Sequence, residues 1–298
     1  MDSSVKGKGT IIFQIICYIV LTILALSVVL PFIMLIASSF TDNDALRKYG
    51  YNFWPSVFSL YSYEYLFITN AGSILRSYGV TFFVTILGTI ISLLIGPMMA
   101  YPLSRKDYPR AKFFTFYVFF TMLFNGGIVS SYMMWTRVFD IKNTIWALVF
   151  PNLVLNGFFI ILYKNNFTNN IHPALIEAAK IDGAGEFFIY RKIIIPLSLP
   201  IMATVGLMSG LGYWNDWVNG LYYITDKHLY SLQVLLNNIM SNINALQSIG
   251  SVTSTTMELP GVSIRMAMAV IGVVPIMILY PFFQKYFVKG IALGGVKE

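Results

Sequence analysis

The sequence predicts an all-α membrane protein, a polytopic bundle of six transmembrane helices. Of its 298 residues, 57% are hydrophobic and 11% are charged, whereas charged residues make up about 25% of an ordinary soluble domain. The apolar segments recur from residue 11 to residue 288 with no long polar block between them. We therefore expect one membrane domain over 11–288, with short tails over 1–10 and 289–298.

Six apolar segments reach the roughly 20 residues that a helix needs to cross the hydrocarbon core of a bilayer. Their continuous apolarity favours helices over barrel strands, which would alternate over about ten residues. The predicted spans are 11–38, 79–101, 113–135, 144–163, 200–223 and 266–287.

The first span resembles a secretion signal in having Lys6 and Lys8 before an apolar run. However, the stretch from Gly9 to Thr41 carries no charge and is far longer than the roughly 7 to 15 apolar residues of a signal peptide. We expect a retained span.

The distribution of Lys and Arg predicts the orientation, because cytoplasmic loops of membrane proteins are enriched in both. With a cytoplasmic N-terminus, thirteen of the twenty basic residues fall inside. These are Lys6, Lys8, Arg105, Lys106, Arg110, Lys112, Lys164, Lys180, Arg191, Lys192, Lys285, Lys289 and Lys297. Both tails and the loop over 164–199 are therefore predicted to be cytoplasmic.

Composition and motifs exclude several function classes. The net charge of +7 is scattered between apolar spans, so it does not indicate nucleic-acid binding. Cys17 is the only cysteine, which excludes an intrachain disulfide and a cysteine-rich metal site. We predict no catalytic or metal-binding residues, because His172 and His228 fall on opposite sides of the membrane and no H-E-x-x-H, G-x-S-x-G or Walker phosphate-loop motif is present.

The segment 229–261 is nearly uncharged and could be taken for a seventh span. Its asparagines, with Ser and Thr clusters, make it too polar to cross a bilayer. The asparagines are Asn237, Asn238, Asn242 and Asn244. We expect an outer loop that contains a short interfacial helix.

The cytoplasmic loop begins with signals for a short helix. Pro173 suits a first helical position, and good helix formers follow it, which predicts a helix from about Pro173 to Ile181. Gly183 can take the left-handed conformation that ends a helix, and Asp182 can cap the amides of the next one.

A second helix is expected after this turn. Phe187, Tyr190 and Ile194 would share one face, the spacing of a stripe that packs against other helices. Pro196 and Pro200 would then interrupt the chain where it enters the membrane again. Small residues before it allow a close approach by another backbone, whereas an amphipathic connector lying on the lipid surface fits these residue types equally well.

The loop sequence IEAAKIDGAGEFFIYRKIIIPLSLP resembles the EAA motif of permease subunits in binding-protein-dependent ABC importers. The matching positions are Glu177, Ala178, Ala179, Asp182, Gly183, Ala184, Tyr190, Ile193, Pro196, Leu197 and Pro200. Tyr190 and Ile195 stand where Phe and Leu are commoner in the family, and both keep an apolar bulk.

Other segments extend the resemblance over most of the chain. AYPLSR over 100–105 and YSLQVLL over 230–236 are similar to segments of carbohydrate permeases. FQKYFVKGIALGGVKE over 283–298 is similar to the tail of the maltose-permease type, the smaller of two permease subunits, and FNGGIVSSYMMW over 124–135 resembles the subgroup for complex oligosaccharides.

The resemblance implies that the loop over 164–199 carries a coupling helix that docks on a cytoplasmic ATPase. Glu177 would pair with a basic ATPase residue, Ala178 and Ala179 would fit the cleft wall, and Gly183 would make the turn, with Asp182 and Ala184 beside it. The tail over 289–298 is either a second ATPase contact or a solvated end.

The resemblance also implies the partners. These are a second homologous permease subunit in a heterodimer, two copies of the ATPase, an extracytoplasmic sugar-binding protein and membrane lipid. ATP and magnesium would be bound by the ATPase, and this chain would carry no cofactor. The expected location is the bacterial cytoplasmic membrane, with both termini cytoplasmic.

A polar and aromatic segment in the outer part of span five is a possible sugar pathway. A carboxylate within a span normally faces a bundle interior or a wet cavity, and four-residue spacing would put two amides on one helix face and Tyr213 and Trp217 on another. The segment comprises Tyr213, Trp214, Asn215, Asp216, Trp217 and Asn219. An interfacial aromatic belt is the alternative. Weaker pathway candidates are Asn125, Asn152 and Asn156.

A self-contained secondary transporter or channel is the alternative function. Such proteins commonly show inverted repeats or charge pairs inside the membrane. Asp216 is the only acidic residue expected within a span, and it has no evident basic partner. An ATP-driven importer subunit is therefore favoured.

Overall fold

The computed structural model describes residues 8–69, 71–151, 153–250 and 261–295. Its regular structure in these ranges is helical, apart from one isolated bridge between Thr41 and Phe58. The helices are α1 (Lys8–Ser39), α2 (Asn43–Tyr49), α3 (Tyr61–Glu64), α4 (Ala71–Ser104), α5 (Ala111–Leu123), α6 (Gly127–Met133), α7 (Trp146–Val149), α8 (Gly157–Asn170), α9 (Pro173–Ile181), α10 (Glu186–Ile189), α11 (Ile195–Leu197), α12 (Leu199–Trp214), α13 (Val218–Tyr223), α14 (Leu232–Gly250) and α15 (Val262–Gly295). Short π-helical turns follow α3, α6 and α10, and a 3₁₀ turn covers Lys227–Leu229. The all-α prediction is confirmed.

Three of the described helices are long and apolar enough to cross a membrane by themselves. They cover Gly9–Ser39, Ala71–Ser104 and Val262–Pro281. These helices correspond to the predicted first, second and sixth spans, and the helix of the second is longer than predicted at both ends.

The predicted third span is a bent pair of helices, and a second bent pair ends within the predicted fifth span. In the third, Ala111–Leu123 and Gly127–Val138 meet at 112°. The bend follows from Asn125, whose Oδ1 accepts a hydrogen bond from the backbone N–H of Gly127 at 2.8 Å, while Gly127 itself has a left-handed φ of 80°. In the second pair, Glu186–Leu197 and Leu199–Trp214 meet at 78°. Its first helix lies in the predicted cytoplasmic loop, and the predicted fifth span over 200–223 is itself interrupted between Trp214 and Val218. The described helices thus provide three spans, or five if each bent pair is one span.

The prediction of a continuous fourth span over 144–163 is wrong in the described chain. A short helix, α7, ends at Val149, just before Pro151, which cannot donate a helical hydrogen bond. A new helix, α8, starts only at Gly157, where the side chain of Asn156 accepts a hydrogen bond from Phe158 N at 2.9 Å. This helix continues to Asn170, beyond the predicted span end.

The segment after Leu229 contains a longer helix than predicted. It forms the 19-residue α14, where a short interfacial helix was expected. The first turn of α14 is fixed by a hydrogen bond from the backbone N–H of Leu232 to Thr81 Oγ1 at 2.8 Å. The four asparagines of this segment all lie within α14.

The chain divides into two compact units, the first of which comprises residues 1–71 and 240–274. In this unit, Ser39 Oγ and Tyr63 OH are hydrogen-bonded at 2.8 Å, and the ring of Phe40 stacks on the rings of Phe58 and Tyr63. The backbone N–H of Val262 donates to Asn43 Oδ1 at 2.9 Å. These contacts join the end of α1 to α3, and α2 to the start of α15.

The second unit comprises residues 72–239 and 275–298 and contains both candidate sites. Two apolar clusters are formed by its described residues. One lies around Tyr163 of α8 and the α10–α12 segment, and includes Tyr101 of α4. The other lies around α7 and Tyr213 of α12. Burial of these side chains fixes the helix ends that carry the site residues.

Candidate functional site

The predicted cytoplasmic loop forms the helix pair expected from its sequence. Helix α9 begins at Pro173 and ends at Ile181, as predicted. His172 caps it, because its Nδ1 accepts a hydrogen bond from the backbone N–H of Ala174 at 3.3 Å. The proline at the first helical position leaves no backbone donor unpaired there.

The turn after α9 is a Schellman motif built around a glycine. Gly183 has a φ of 79°, the left-handed conformation that costs other residues about 1–2 kcal/mol. Its backbone N–H donates to Lys180 O at 3.0 Å, and the N–H of Ala184 donates to Ala179 O at 2.9 Å. These two bonds satisfy carbonyls that a helix end otherwise leaves unpaired. The predicted role of Gly183 in the turn's geometry is confirmed.

The predicted capping role of Asp182 is wrong. The next helix, α10, begins at Glu186, and the cap position is Gly185, which has no side chain to accept a hydrogen bond. Asp182 instead ends α9, and its backbone N–H donates to Ala178 O. Three residues separate Asp182 from the start of α10, which places its carboxylate too early for the cap.

Two isoleucines hold the second helix of the loop in place. Ile189 and Ile194 are almost fully buried in the cluster that contains Tyr101 and Tyr163. Each contributes about 1.5–3 kcal/mol by its burial. Of the predicted stripe, Ile194 is buried and Tyr190 half-buried, but Phe187 is 66% exposed. Ile189 takes the buried place that was predicted for Phe187.

The turn and the outer face of α9 are open to solvent. Glu177, Ala178, Asp182 and Gly183 are exposed, and Ile181 is 86% exposed. Within the described residues, the Glu177 carboxylate has no hydrogen-bond or ion-pair partner. This face therefore offers an unpaired carboxylate beside small and apolar side chains.

The two remaining residues of the predicted coupling set face inward. Ala179 and Ala184 are half-buried and pack against the apolar cluster around Tyr163. Their small size lets α9 and the turn lie close to that cluster. Of the two adjacent alanines on α9, Ala178 therefore faces solvent and Ala179 faces the apolar cluster.

An ion-pair cluster joins this loop to the end of α4. The Asp107 carboxylate accepts hydrogen bonds from Arg105 Nη2 at 2.7 Å and from Lys180 Nζ at 2.9 Å. Lys180 Nζ also lies 2.9 Å from Glu186 Oε1, and Tyr101 OH donates to Glu186 Oε2 at 2.5 Å. These five residues, from α4, the segment after it, α9 and α10, are named the loop clasp below.

The charged groups of the loop clasp stabilise one another's ionised forms. Hydrogen bonds from Arg105, and then from Lys180, lower the pKa of Asp107 below its ordinary value. Hydrogen bonding to Glu186, and then to Asp107, raises the pKa of Lys180. Both shifts favour the charged forms. The four charged members of the clasp are therefore ionised at neutral pH, while the Tyr101 hydroxyl keeps the proton that it donates to Glu186.

The clasp is not evident from the sequence, because its members are separated by up to 85 residues along the chain. In the sequence, Arg105 stands out only as the end of the AYPLSR segment and as one of the basic residues that predict the topology. Lys180 was counted as a basic residue of the loop. The alternation of opposite charges at 105, 107, 180 and 186 could have suggested the pairing once the loop was placed beneath α4.

Three residues of the possible sugar pathway are used in internal packing. Tyr213 OH donates to Val149 O at 2.9 Å, and Asn219 Nδ2 donates to Pro151 O at 3.0 Å. Trp214 is 3% exposed and packs edge-on against the ring of Phe82. Their observed contacts fix α12 and α13 against neighbouring segments.

The other three residues lie at a break between α12 and α13. Asn215 follows the end of α12, and its Nδ2 donates to Leu211 O at 2.9 Å. Asp216 Oδ1 accepts a hydrogen bond from the backbone N–H of Asn219 at 3.2 Å. Trp217 is 45% exposed. The predicted pairing of Asn215 with Asn219, and of Tyr213 with Trp217, on shared helix faces is wrong because the helix is broken between them.

A groove of about 780 Å³ lies between α4, α12 and the 276–280 part of α15. Its walls are mainly apolar and include Trp214. The hydroxyls of Thr85 and Thr89 line it, and within the described residues neither hydroxyl has a hydrogen-bond partner. These threonines were not among the predicted site residues, although their four-residue spacing puts both on one face of α4.

The weaker pathway candidates have local roles where they are described. The side chain of Asn125 accepts a hydrogen bond from Gly127 N, and that of Asn156 caps α8. Asn152 lies outside the described residues, and so do the side chains of the tail over 289–298. The described residues contain no group of three or more His, Cys, Asp or Glu that could hold a metal ion.

The helices long enough to cross a membrane, together with a solvent-exposed helix pair between two of them, define a polytopic α-helical membrane protein. The sequence profile of the family described as "Binding-protein-dependent transport system inner membrane component" matches residues 71–293. This chain belongs to that family. It is therefore a membrane component of a transport system.

Two curated relatives come from Bacillus subtilis (strain 168). The polygalacturonan/rhamnogalacturonan transport system permease protein YtcP is 37% identical over 286 residues, which cover 96% of this chain and 98% of YtcP. Protein LplC is 36% identical over 269 residues, covering 90% of this chain and 89% of LplC. Each of these chains is thus similar to this one over nearly its whole length.

A solved structure is similar over nearly the whole chain. It belongs to a bacterial ABC transporter involved in the import of the acidic polysaccharide alginate. The match has a TM-score of 0.77 and 27% sequence identity, and it covers 96% of this chain and 100% of the other. The helical architecture described above is therefore shared with an ABC importer subunit.

Proposed function

We propose that this chain is a permease subunit of an ATP-driven sugar importer and that α9 couples it to a cytoplasmic ATPase. The observation that carries the proposal is the exposed face of α9, where Glu177 has no partner within the described residues. A carboxylate beside Ala178 and a glycine turn suits a basic group in a cleft of another subunit. The family membership and the resemblance of residues 176–200 to the EAA motif support the same role.

Energy for transport would come from a separate subunit. The sequence has no Walker phosphate loop, so ATP and magnesium would be bound by two copies of an ATP-binding cassette ATPase. A second, homologous permease subunit would complete the translocation pathway, and an extracytoplasmic binding protein would deliver the sugar. This chain would carry no cofactor of its own.

The orientation proposed places both termini and α9 on the cytoplasmic side of a bacterial cytoplasmic membrane. Thirteen of the twenty Lys and Arg residues then fall inside, as the positive-inside rule expects. The loop clasp contributes Arg105 and Lys180 to this basic side. An ATPase in the cytoplasm could reach the exposed face of α9 in this orientation.

The proposed cargo is an oligosaccharide. YtcP is named for polygalacturonan and rhamnogalacturonan, and the similar solved structure is named for alginate, so oligosaccharides that contain uronic acids are the first class to test. The segment from Tyr213 to Asn219 stays a prediction for the sugar pathway. Of its six members, Asn215 and Trp217 are exposed, so these two are the members open to a passing sugar.

The proposal can be tested with the native complex. A tag on this chain should co-purify a second permease, an ATPase and a binding protein, identified by mass spectrometry. ATP hydrolysis by that complex should then rise with one sugar of a panel of neutral and uronate-containing oligosaccharides, added with the binding protein. Recovery of this chain as an active transporter without an ATPase would contradict the proposal.

A further inference from the structure

We propose that Arg105 and Asp107 are positioning residues that hold the coupling helix to α4 through the loop clasp. In this role they make α9 and the Arg105 end of α4 move as one body when the ATPase displaces α9. The inference rests on the proposed coupling function and adds a second route for the motion. The first route is the backbone turn at Gly183.

The clasp is a continuous chain of alternating charges. It runs from Arg105 to Asp107, from Asp107 to Lys180, and from Lys180 to Glu186, with N–O distances of 2.7, 2.9 and 2.9 Å in that order. Arg105 Nη2 also lies 3.8 Å from Glu186 Oε1, which closes the chain into a ring. Each charge therefore has an opposite charge on both sides.

Arg105 is the rigid member of the ring. Its Nε and Nη2 donate to the two oxygens of Asp107 at 2.9 and 2.7 Å, a two-pronged geometry that fixes both planes. Its side chain is only 13% exposed, and its guanidinium lies 5.9 Å from the centre of the Tyr101 ring. Asp107 is thereby held in one orientation, ready for Lys180.

Helix α9 depends on this link more than α10 does. No residue of α9 is buried, and only Ile176 and Ala179 pack partly against the apolar cluster. By contrast, α10 and the turn after it bury Ile189 and Ile194. Burial of apolar side chains thus fixes α10 in place. Helix α9 lacks such burial and is held by the ion pairs of Lys180.

The clasp joins the coupling helix to the end of the long helix α4. Asp107 lies three residues beyond the end of α4, which has 34 residues. Lys180 lies three residues before Gly183, on the side of α9 that faces Asp107. A displacement of α9 would reach α4 through Lys180 and Asp107, as well as α12 through α10.

Neutral variants of the clasp test its role in coupling. In proteoliposomes that contain the whole complex and the sugar identified by the panel, Asp107→Asn and Lys180→Gln should each lower the sugar moved per ATP by up to about fivefold, the size expected for a partly exposed ion pair. The double variant should be no worse than Lys180→Gln alone, because that change already removes the bond between Lys180 and Asp107. Asp107→Glu should keep the ratio near that of the wild type.

The matched control is Lys106→Gln. Lys106 lies beside Asp107 and is exposed, and it has no ion-pair partner within the described residues. Removing its charge should leave the ratio unchanged. The contrary result is that Lys106→Gln lowers the sugar moved per ATP as much as Asp107→Asn does. The loss would then come from any change of surface charge near Asp107, and the proposed role of the clasp would be overturned.

A chemical link tests whether the two segments must stay together. Cys17 is the only native cysteine, so a Cys17→Ser background can carry Asp107→Cys with Lys180→Cys. A short, reducible bifunctional thiosulfonate should join the two cysteines and restore the sugar moved per ATP, and reduction should remove the gain. A cross-linked complex that still hydrolyses ATP without moving sugar would overturn the proposal, because α9 and α4 would then have to separate during the cycle.

Failure of the clasp can be told apart from failure of the proposed function. If Glu177→Ala uncouples ATP hydrolysis from uptake but the clasp variants behave as the wild type, only the clasp is wrong. If the wild-type complex shows no ATP-driven sugar uptake, the proposed function fails first. The cross-linking yield between positions 107 and 180 gives a readout that needs no sugar, and its absence in the native complex would contradict the clasp directly.

Discussion

At the scale of single residues, Gly183 is the position where the loop geometry depends on one side chain. Its φ of 79° favours glycine, and two backbone hydrogen bonds of the turn are formed around it. Among the described residues, no atom lies within 4 Å of the place that a Cβ would take. A substitution there would therefore act through backbone strain rather than through a clash.

Replacing Gly183 with leucine should abolish sugar uptake while leaving the amount of protein in the membrane unchanged. The strain of about 1–2 kcal/mol at a left-handed position would rearrange the turn, and the leucine would stand on the face proposed to enter the ATPase cleft. Uptake by cells and immunoblots of membranes measure the two effects. Gly185→Ala is the matched control, because Gly185 has a φ of −73° and open space around it. Normal uptake by Gly183→Leu would refute the role of the turn.

The second residue-scale prediction concerns the unpaired carboxylate of α9. Glu177→Ala should uncouple ATP hydrolysis from uptake, at a cost of about 2–5 kcal/mol if its partner is desolvated, because the partner's charge would be orphaned. Binding of the ATPase to tagged complexes measures the loss. Glu64→Ala, which removes an exposed carboxylate on α3, serves as the control. Unchanged ATPase binding and uptake in Glu177→Ala would refute the pairing.

The third residue-scale prediction concerns helix packing rather than coupling. A Cβ at Gly88 of α4 would overlap the ring of Tyr213, which is buried and cannot move aside freely. Gly88→Ala should therefore destabilise the protein by about 1–3 kcal/mol. Gly79→Ala on the same helix meets open space and should be neutral or slightly stabilising. Thermal unfolding of both variants in detergent, followed by size-exclusion chromatography, decides between these outcomes, and equal stability of the two would contradict the packing.

At the scale of elements, the apolar pattern of the sequence predicts the long helices but does not show where a span is broken. Helices α1, α4 and α15 follow from uninterrupted apolar runs, and α9 follows from Pro173 and the turn glycine. The broken spans have local causes: Pro151 ends α7, and Asn125 with Gly127 bends the third span. Apolar composition alone does not show such breaks, because the flanking residues remain apolar.

The loop clasp adds a prediction about pH at this scale. The lowered pKa of Asp107 and the raised pKa of Lys180 keep both groups charged, with Arg105 and Glu186 around them. The stability that Asp107 contributes is present above its unfolded pKa, near 3.9, and it is lost only as the pH falls towards its lower folded pKa. The sugar moved per ATP should therefore not change through Asp107 or Lys180 between about pH 6 and pH 8. A dependence in that range that Asp107→Asn removes would contradict these shifts.

Part of the candidate site could be predicted from the sequence, and particular residues show why the rest could not. The turn at Gly183 and the extent of α9 follow from local backbone preferences, so the sequence was sufficient for them. The clasp depends on residues 105 and 107 meeting residues 180 and 186, which only the tertiary structure shows. The shared faces within Tyr213–Asn219 were wrong, because the break at Asn215 could not be foreseen from spacing.

At the scale of the whole molecule, the chain has the composition, helices and family membership of one subunit within a larger transport system. Its exposed face on α9 lacks a partner for Glu177 within the described residues, and its sequence lacks a phosphate loop for ATP. Both features are expected of a subunit whose energy source is another protein. Under the proposed coupling, the clasp would assign α4 as well as α12 to the part of the subunit that the ATPase moves.

The central claim, that α9 couples this permease to ATP hydrolysis, is tested most directly by measuring ATP hydrolysis and sugar uptake together in proteoliposomes of the purified complex. The wild-type complex should accumulate one oligosaccharide only when ATP is present on the side of α9. Complexes with Glu177→Ala should retain the permease pair and lose that accumulation. Accumulation that persists without the ATPase, or that is unaffected by Glu177→Ala, would contradict the account.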